Sequence, residues 1–280
     1  MSGFFGRKGV RAFLRHRGAV IGTVLIGLFL LIALAAPAVA PYDPLAQNLA
    51  ERLQPPSAQH WLGTDDFGRD VFSRVLHGAR VSLRLGLVAV GLALAIGGTI
   101  GLLAGYYGGW FDLLGMRFMD LMLAFPSILL SIVVVAILGP SLTNAMIAVG
   151  VMAVPQYARI VRGSVLQVRN LEYVQAAQAL GATDRRVLAR AILPNVLGPV
   201  IVTASLGLAT AILDAAGLSF LGLGAQPPTP EWGSMLAQGR ELILIAPWVL
   251  TAPGVAVFLA VLGFNLVGDA LRDLLDPHRA

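Results

Sequence analysis

Few residues in this chain have the types and spacing that covalent chemistry needs. The histidines His16, His60, His77 and His278 are scattered through tails and connectors without metal-ligand spacing, and cysteine is absent, so no disulfide or thiolate site can form. The sole lysine is Lys8, which excludes a GxxxxGK[ST] phosphate loop within the chain. No serine, histidine and acid recur as a nucleophile–base set. The chain is therefore expected not to be an enzyme. Two features remain. Asp214 interrupts an apolar run, TAILDAAGLSF. A carboxylate there costs roughly 2.5–3.5 kcal/mol on insertion scales, so it must face protein or water. The second feature is the polar stretch YVQAAQALGATDRRVLARAILPN, residues 173–195, which carries Asp184, Arg185, Arg186 and Arg190 between two apolar segments.

The elements that must position these residues are membrane helices. Hydrophobic residues make up 57% of the chain and charged residues 12%, against roughly 25% charged in soluble domains. Mean hydropathy is +0.78. Charge-free runs at 18–42, 85–111, 121–158 and 242–268 each exceed the roughly 20 residues that span a bilayer. The expected architecture is an all-α membrane protein with six transmembrane helices, near 18–40, 81–107, 114–138, 142–161, 194–220 and 242–267. Arg7, Lys8, Arg11, Arg15 and Arg17, then an apolar run and APAVA, imitate a secretory signal. The run is longer than the about 7–15 residues of a signal's apolar region, so it reads as an uncleaved first helix.

The net charge of +5 follows the positive-inside rule rather than nucleic-acid binding. Five basic residues lie before residue 18, six between Arg159 and Arg190, and Arg117, Arg272 and Arg279 share their side; Arg52, Arg69, Arg74, Arg80, Arg84 and Arg240 fall on the other. Both termini and the 173–195 stretch are expected in the cytoplasm. Within span two, Gly97, Gly101 and Gly105 recur every four residues and line one groove. Internal packing and an interface with a second subunit both suit them. Arg117 and Asp120 form an i,i+3 pair that gives Asp120 a structural role.

The 173–195 stretch reads as two short helices. Tyr173, Ala176, Ala177 and Leu180 form one apolar face, Gly181 a stop, Thr183 a cap and Asp184 the first turn of the next helix. Val187, Leu188, Ala191 and Ile192 make the second apolar side, and Pro194 restarts a helix. Such a surface fits a groove in another protein or anionic lipid. Asp214 reads either as a translocation-path or gate residue or as a paired helix-end carboxylate. Trp232, in the connector PPTPEWGS, suits a partner contact or an aromatic at the membrane interface.

QAA…G…ILP resembles the EAA loop of ABC-importer permeases, on Gln175, Ala176, Ala177, Gly181, Leu193 and Pro194. Gln175 stands for the usual glutamate, and Ala191 for an isoleucine that falls one place later, at Ile192. HWLGTDDFGRDVFSRVLHGARVSLRLGL, GYYGGWFDLLGMRFMDLMLAFPSILL, LSFLGLGAQPPTPEWGSML and GDALRDLLDPH resemble the C-type permease of the dipeptide/oligopeptide/nickel importer family across residues 10–278.

The resemblance implies a type I importer permease fold, a five-helix core at 81–270 after an N-terminal helix and connector at 18–80. Tails are placed at 1–17 and 271–280, and coupling helices at 167–193. It implies two permeases, two cytoplasmic ATP-binding subunits that hold ATP and magnesium, and an extracytoplasmic binding protein, in the bacterial inner membrane. This chain itself needs no cofactor or metal. Gln175, Ala176, Ala177, Gly181, Asp184, Ile192, Leu193 and Pro194 become the ATPase-coupling set, Glu172 or Asp184 the substitute for the missing glutamate, and Trp232 a binding-protein contact. Di- or oligopeptides are the expected cargo, with nickel chelates or glutathione as alternatives. An ion-driven secondary transporter is the rival class; it would need a relay of buried acids, of which only Asp214 qualifies.

Overall fold

A computed structural model of the protein describes residues 13–275. Arg7, Lys8, Arg11, His278 and Arg279 lie outside the described residues. Helices run at Arg17–Val39 (α1), Val71–Tyr107 (α2), Gly109–Leu123 (α3), Ser127–Leu138 (α4), Leu142–Arg169 (α5), Glu172–Ala179 (α6), Asp184–Phe220 (α7), Trp232–Gly239 (α8) and Trp248–Leu275 (α9). Helices α1, α2, α5, α7 and α9 are each long and apolar enough to cross a membrane.

The expected straight third span is instead the pair α3 and α4, bent by 93°. Pro126 causes the break. It has no N–H to continue α3, and it drives Phe125 away from helical geometry. The α3 ladder ends with the Ala124 N–H on the Asp120 carbonyl, and Pro126 sits at φ −55°, ψ 128° before α4. Asp120 also differs from expectation. Its Oδ1 accepts from Arg159 on α5 at 2.5 Å, not from Arg117.

Helix α2 starts ten residues before the expected boundary because Asp70 caps it, its Oδ2 accepting the Ser73 N–H at 2.7 Å. Its 37 residues reach about 55 Å at 1.5 Å per residue, well beyond an apolar layer of about 30 Å. Helix α5 continues past 161 to Arg169, and α9 runs from Trp248 rather than 242, ending at Leu275.

Helix α2 lies against α5 through its glycines. A Cβ at Gly97 would stand 2.4 Å from the Val154 carbonyl oxygen, and one at Gly101 2.3 Å from that of Ala158. At Gly105 it would meet the Val165 Cβ at 2.8 Å. The glycine groove is thus internal packing, where absent side chains let two backbones approach.

Residues 40–70 and 221–247 fold over one end of the bundle. Asp65 accepts from Arg69 Nε at 2.7 Å and lies 3.5 Å from Arg74 Nε, all three buried. Arg69 also donates to Gln238 at 3.2 Å, and Arg74 to the carbonyls of Pro44 and Pro228 at 3.1 and 3.4 Å. Trp248 Nε1 donates to the Thr64 carbonyl at 3.1 Å. Buried charges must be paired to be tolerated, and here the pairing stitches two distant connectors together.

Gly101→Ala should lower the thermal stability of the detergent-solubilised protein. Gly98→Ala, whose new Cβ would meet only the Leu94 Cδ1 at 3.5 Å, should leave it unchanged or raise it by up to about 1 kcal/mol through helix propensity. Melting curves of the two variants check the assignment of the packed groove.

Candidate functional site

The 173–195 stretch forms the two helices expected of it, with a different division between inside and outside. Helix α6 ends at Gly181, whose φ is +79°. The Gly181 N–H bonds to the Gln178 carbonyl at 2.9 Å, and the Ala182 N–H to that of Ala177 at 3.1 Å. These two bonds make a Schellman stop, which needs the left-handed conformation that glycine adopts without strain. Thr183 starts α7 with its backbone alone, its carbonyl accepting from Arg186 and Val187; its side chain makes no capping bond. Pro194 does not begin a separate helix. A π turn at Leu188–Ile192, closed by the Leu193 N–H on the Leu188 carbonyl, carries α7 through to Phe220.

Val174, Val187 and Ile192 are buried with Tyr106, Val161, Val165 and Val196. They fasten the loop to the ends of α2 and α5. Two polar links reinforce this. Arg169 donates to the carbonyls of Gly105 and Tyr106 at 3.2 and 2.7 Å, and the Tyr106 hydroxyl donates to Asp184 Oδ1 at 2.7 Å. Asp184 stays exposed at the surface, but one carboxylate oxygen of this proposed substitute for the missing glutamate is engaged within the chain by Tyr106. Ile192 is fully buried and offers no surface to a partner, which corrects its place in the coupling set.

Outside lie Tyr173, Gln175, Ala176, Leu180 and Gly181, with Leu180 89% exposed. Ala177 and Pro194 are half-buried, and Leu193 is exposed. Gln175 Nε2 donates to the Asn170 carbonyl at 3.3 Å and remains at the surface, and Glu172 is exposed in the first turn of α6. Arg185, Arg186 and Arg190 border a shallow concavity on α7.

Trp232 is corrected outright. It is 0% exposed, with Nε1 donating to the Val75 carbonyl at 3.0 Å and Phe29 edge-on at 5.6 Å. Neither a partner nor a lipid headgroup can reach it. Beside it, Glu231 caps α8 by accepting the N–H groups of Gly233 and Ser234, each at 2.8 Å. Burial pushes its carboxyl up from the usual range, and those two N–H groups, with the Ser219 and Ser82 hydroxyls, pull it back.

Asp214 lines a cavity of about 220 Å³ between α2, the α3–α4 bend, α5 and α7, in company with Ser127, Gln156, Tyr157 and Thr210. It makes no hydrogen bond or ion pair with another described residue, so among the described residues it is not a paired helix-end carboxylate. The acids of α3 differ: Asp112 pairs with Arg162 at 2.6 Å and Asp120 with Arg159. Gln156, Tyr106 and Arg169 escaped the sequence reading. An amide twelve residues beyond Asn144 in the long charge-free run was the available signal for Gln156; nothing local marks the other two, because their partners lie 63 to 78 residues away.

Residues 97–280 match the family described as binding-protein-dependent transport system inner membrane component, and residues 5–56 match the N-terminal transmembrane domain of oligopeptide transport permease C. The chain belongs to this transport-permease family. It is 52% identical to the dipeptide transport system permease protein DppC of Alkalihalophilus pseudofirmus, over 97% of this chain and 89% of that one. It is 48% identical to the glutathione transport system permease protein GsiD of Pectobacterium atrosepticum, over 95% and 89%. Among solved structures, an inward-facing MetNI methionine ABC transporter superposes with a TM-score of 0.60 at 21% identity, covering 72% of this chain and 96% of that one. That likeness concerns the fold, which is the type I importer permease fold. The chain is a multi-pass permease subunit of a bacterial inner-membrane ABC family, whose importers work with ATPases and substrate-binding proteins.

Tyr106→Phe should free Asp184 and raise amide exchange across 182–188 in this permease, by about 1 kcal/mol of local opening. Trp232→Ala should cost about 3–5 kcal/mol of global stability, measured by thermal denaturation, because its role is packing.

Proposed function

We propose that this chain is one of two permease subunits of an ATP-driven, binding-protein-dependent peptide importer. Both termini and the 172–194 loop face the cytoplasm, where two ATPase subunits hold ATP and magnesium, and the outer connectors face a binding protein. The observation that carries the reading is the loop. It presents exposed Tyr173, Gln175, Ala176 and Leu180 on a short helix whose opposite side is locked to α2 and α5. A surface anchored so firmly passes a push to the bundle instead of folding away from it.

The path of that push follows from the contacts. ATPase closure displaces α6. Arg169 and the Tyr106–Asp184 bond pass the displacement to the end of α2, and the π turn passes it into α7, which carries Asp214. For this to drive transport, the docked contact must differ in free energy between inward- and outward-open states. The identity of about half of all positions to a dipeptide permease supports peptides as cargo. Glutathione, itself a small peptide, is supported by the second relative. Uptake of each by proteoliposomes that hold the whole complex, with the other as competitor, separates the two.

The coupling role has a sharp test in the same assay. Gly181→Val forces a β-branched residue into positive φ, and Ala177→Asp puts a charge on the docking helix. Both should cut binding-protein-stimulated ATP hydrolysis and uptake at least about tenfold, the equivalent of 1.4 kcal/mol, while membrane insertion stays normal. Gly181→Asn, which tolerates the left-handed region, should lose less. Full uptake by Gly181→Val and Ala177→Asp would overturn the assignment.

A further inference from the structure

We propose that Asp214 is a specificity-determining residue that receives the free ammonium group of the substrate during its passage. This rests on the importer reading above, and it names the part of the substrate that the permease itself recognises.

Three observations point to it. First, the carboxylate lies in α7 six residues before Phe220, about 9 Å from the helix end at 1.5 Å per residue. A charge at that depth is costly unless a partner meets it. Within the chain none does among the described residues, whereas Asp112 and Asp120 each hold an arginine. Second, Gln156 on α5 faces the same cavity, is exposed, and also makes no hydrogen bond within the described chain. Ser127 and Thr210 add hydroxyls. One anion with an amide and hydroxyls around it suits a cation followed by a peptide group. Third, the cavity of about 220 Å³ equals the liquid volume of only about seven waters. It has room for the charged end of a peptide. The end that bears a positive charge, whatever the side chains, is the ammonium terminus. Dipeptides and glutathione both have one.

The ammonium donates to the Asp214 carboxylate while Gln156 and Thr210 meet the adjoining carbonyl and N–H groups. The remaining walls, including Ala89, Val90 and Val149, are apolar and place no demand on sequence. Passage requires that such a site hold its ligand weakly enough to release it. A single carboxylate in a partly open cavity meets that condition better than a closed ion cage.

The test uses the assembled complex in proteoliposomes, with binding protein and Ala-Ala as the probe, and reads uptake per ATP hydrolysed. Asp214→Asn should lower that ratio about tenfold with stimulated ATP hydrolysis retained, and Asp214→Glu should restore it to within about twofold. In the Asp214→Asn background, Gln156→Glu should recover uptake by returning a carboxylate to the cavity. An unchanged ratio in Asp214→Asn overturns the proposal and leaves the importer reading intact. So does a parallel fall in hydrolysis and uptake by a complex that assembles normally, since the ratio is then unchanged and the residue supports turnover rather than substrate recognition. Should Asp214→Asn fail to assemble, Gln156→Lys decides: it sets a competing cation on the carboxylate and must lower the ratio, and an unchanged ratio overturns the proposal. A wild-type complex that hydrolyses ATP but imports no peptide overturns the importer reading and this proposal with it.

Discussion

The close approach of α2 and α5 is the constraint on which the rest of the molecule depends. Gly97, Gly101 and Gly105 leave no room for a Cβ, so two long helices meet backbone to backbone along several turns. In lipid, apolar side chains gain little by packing together, and such van der Waals contact is what holds helices. The pair thereby becomes a stiff spine. At one end it carries the α6–α7 loop through Val165, Tyr106 and Arg169. Part-way along it forms a wall of the Asp214 cavity through Ala89, Val90, Gln156 and Tyr157. Loop and cavity are therefore connected through the same closely packed helix pair.

Polar groups are distributed as a bilayer demands. Backbone groups in the apolar layer are satisfied within helices, and buried charges gather in the cap formed by residues 40–70 and 221–247. There Asp65, Arg69 and Arg74 share bonds, and Glu231 spends its carboxylate on a helix end. The cap keeps the ends of α2, α7 and α9 in register, because Trp232 packs against Gly78 and Trp248 reaches Thr64. Asp214 stands apart as an acid in a span whose carboxylate makes no hydrogen bond or ion pair among the described residues.

Much of this was legible in the sequence where the signal is local. Runs of apolar residues located the spans, and Gly181 and Asp184 located the turn and second helix of the loop, since capping depends on near neighbours. The motif resemblance led to the right fold and family. What stayed hidden depends on contacts across the chain. The bend at Pro126 was masked by the unbroken hydropathy of 121–138, although the proline itself was the clue. Trp232 looked available because it sits among prolines and polar residues; only Gly78 and Phe29, 154 and 203 positions earlier in number, explain its burial. Ile192 fits a family motif and an apolar core equally well, and motif spacing does not distinguish a residue that docks from one that holds the docking helix in place.

The central claim is that exposed α6 is the surface on which an ATPase subunit acts. The chain has no cysteine, so a single introduced thiol reports without background. Leu180→Cys in the assembled complex, treated with a thiol-to-amine bifunctional reagent, should cross-link to the ATPase subunit, with a yield that changes between nucleotide-free and ATP-bound states. Val187→Cys, buried under the same loop, should form none. A Leu180→Cys protein that cross-links to no ATPase subunit in either state, while the complex still imports peptide, would contradict the account.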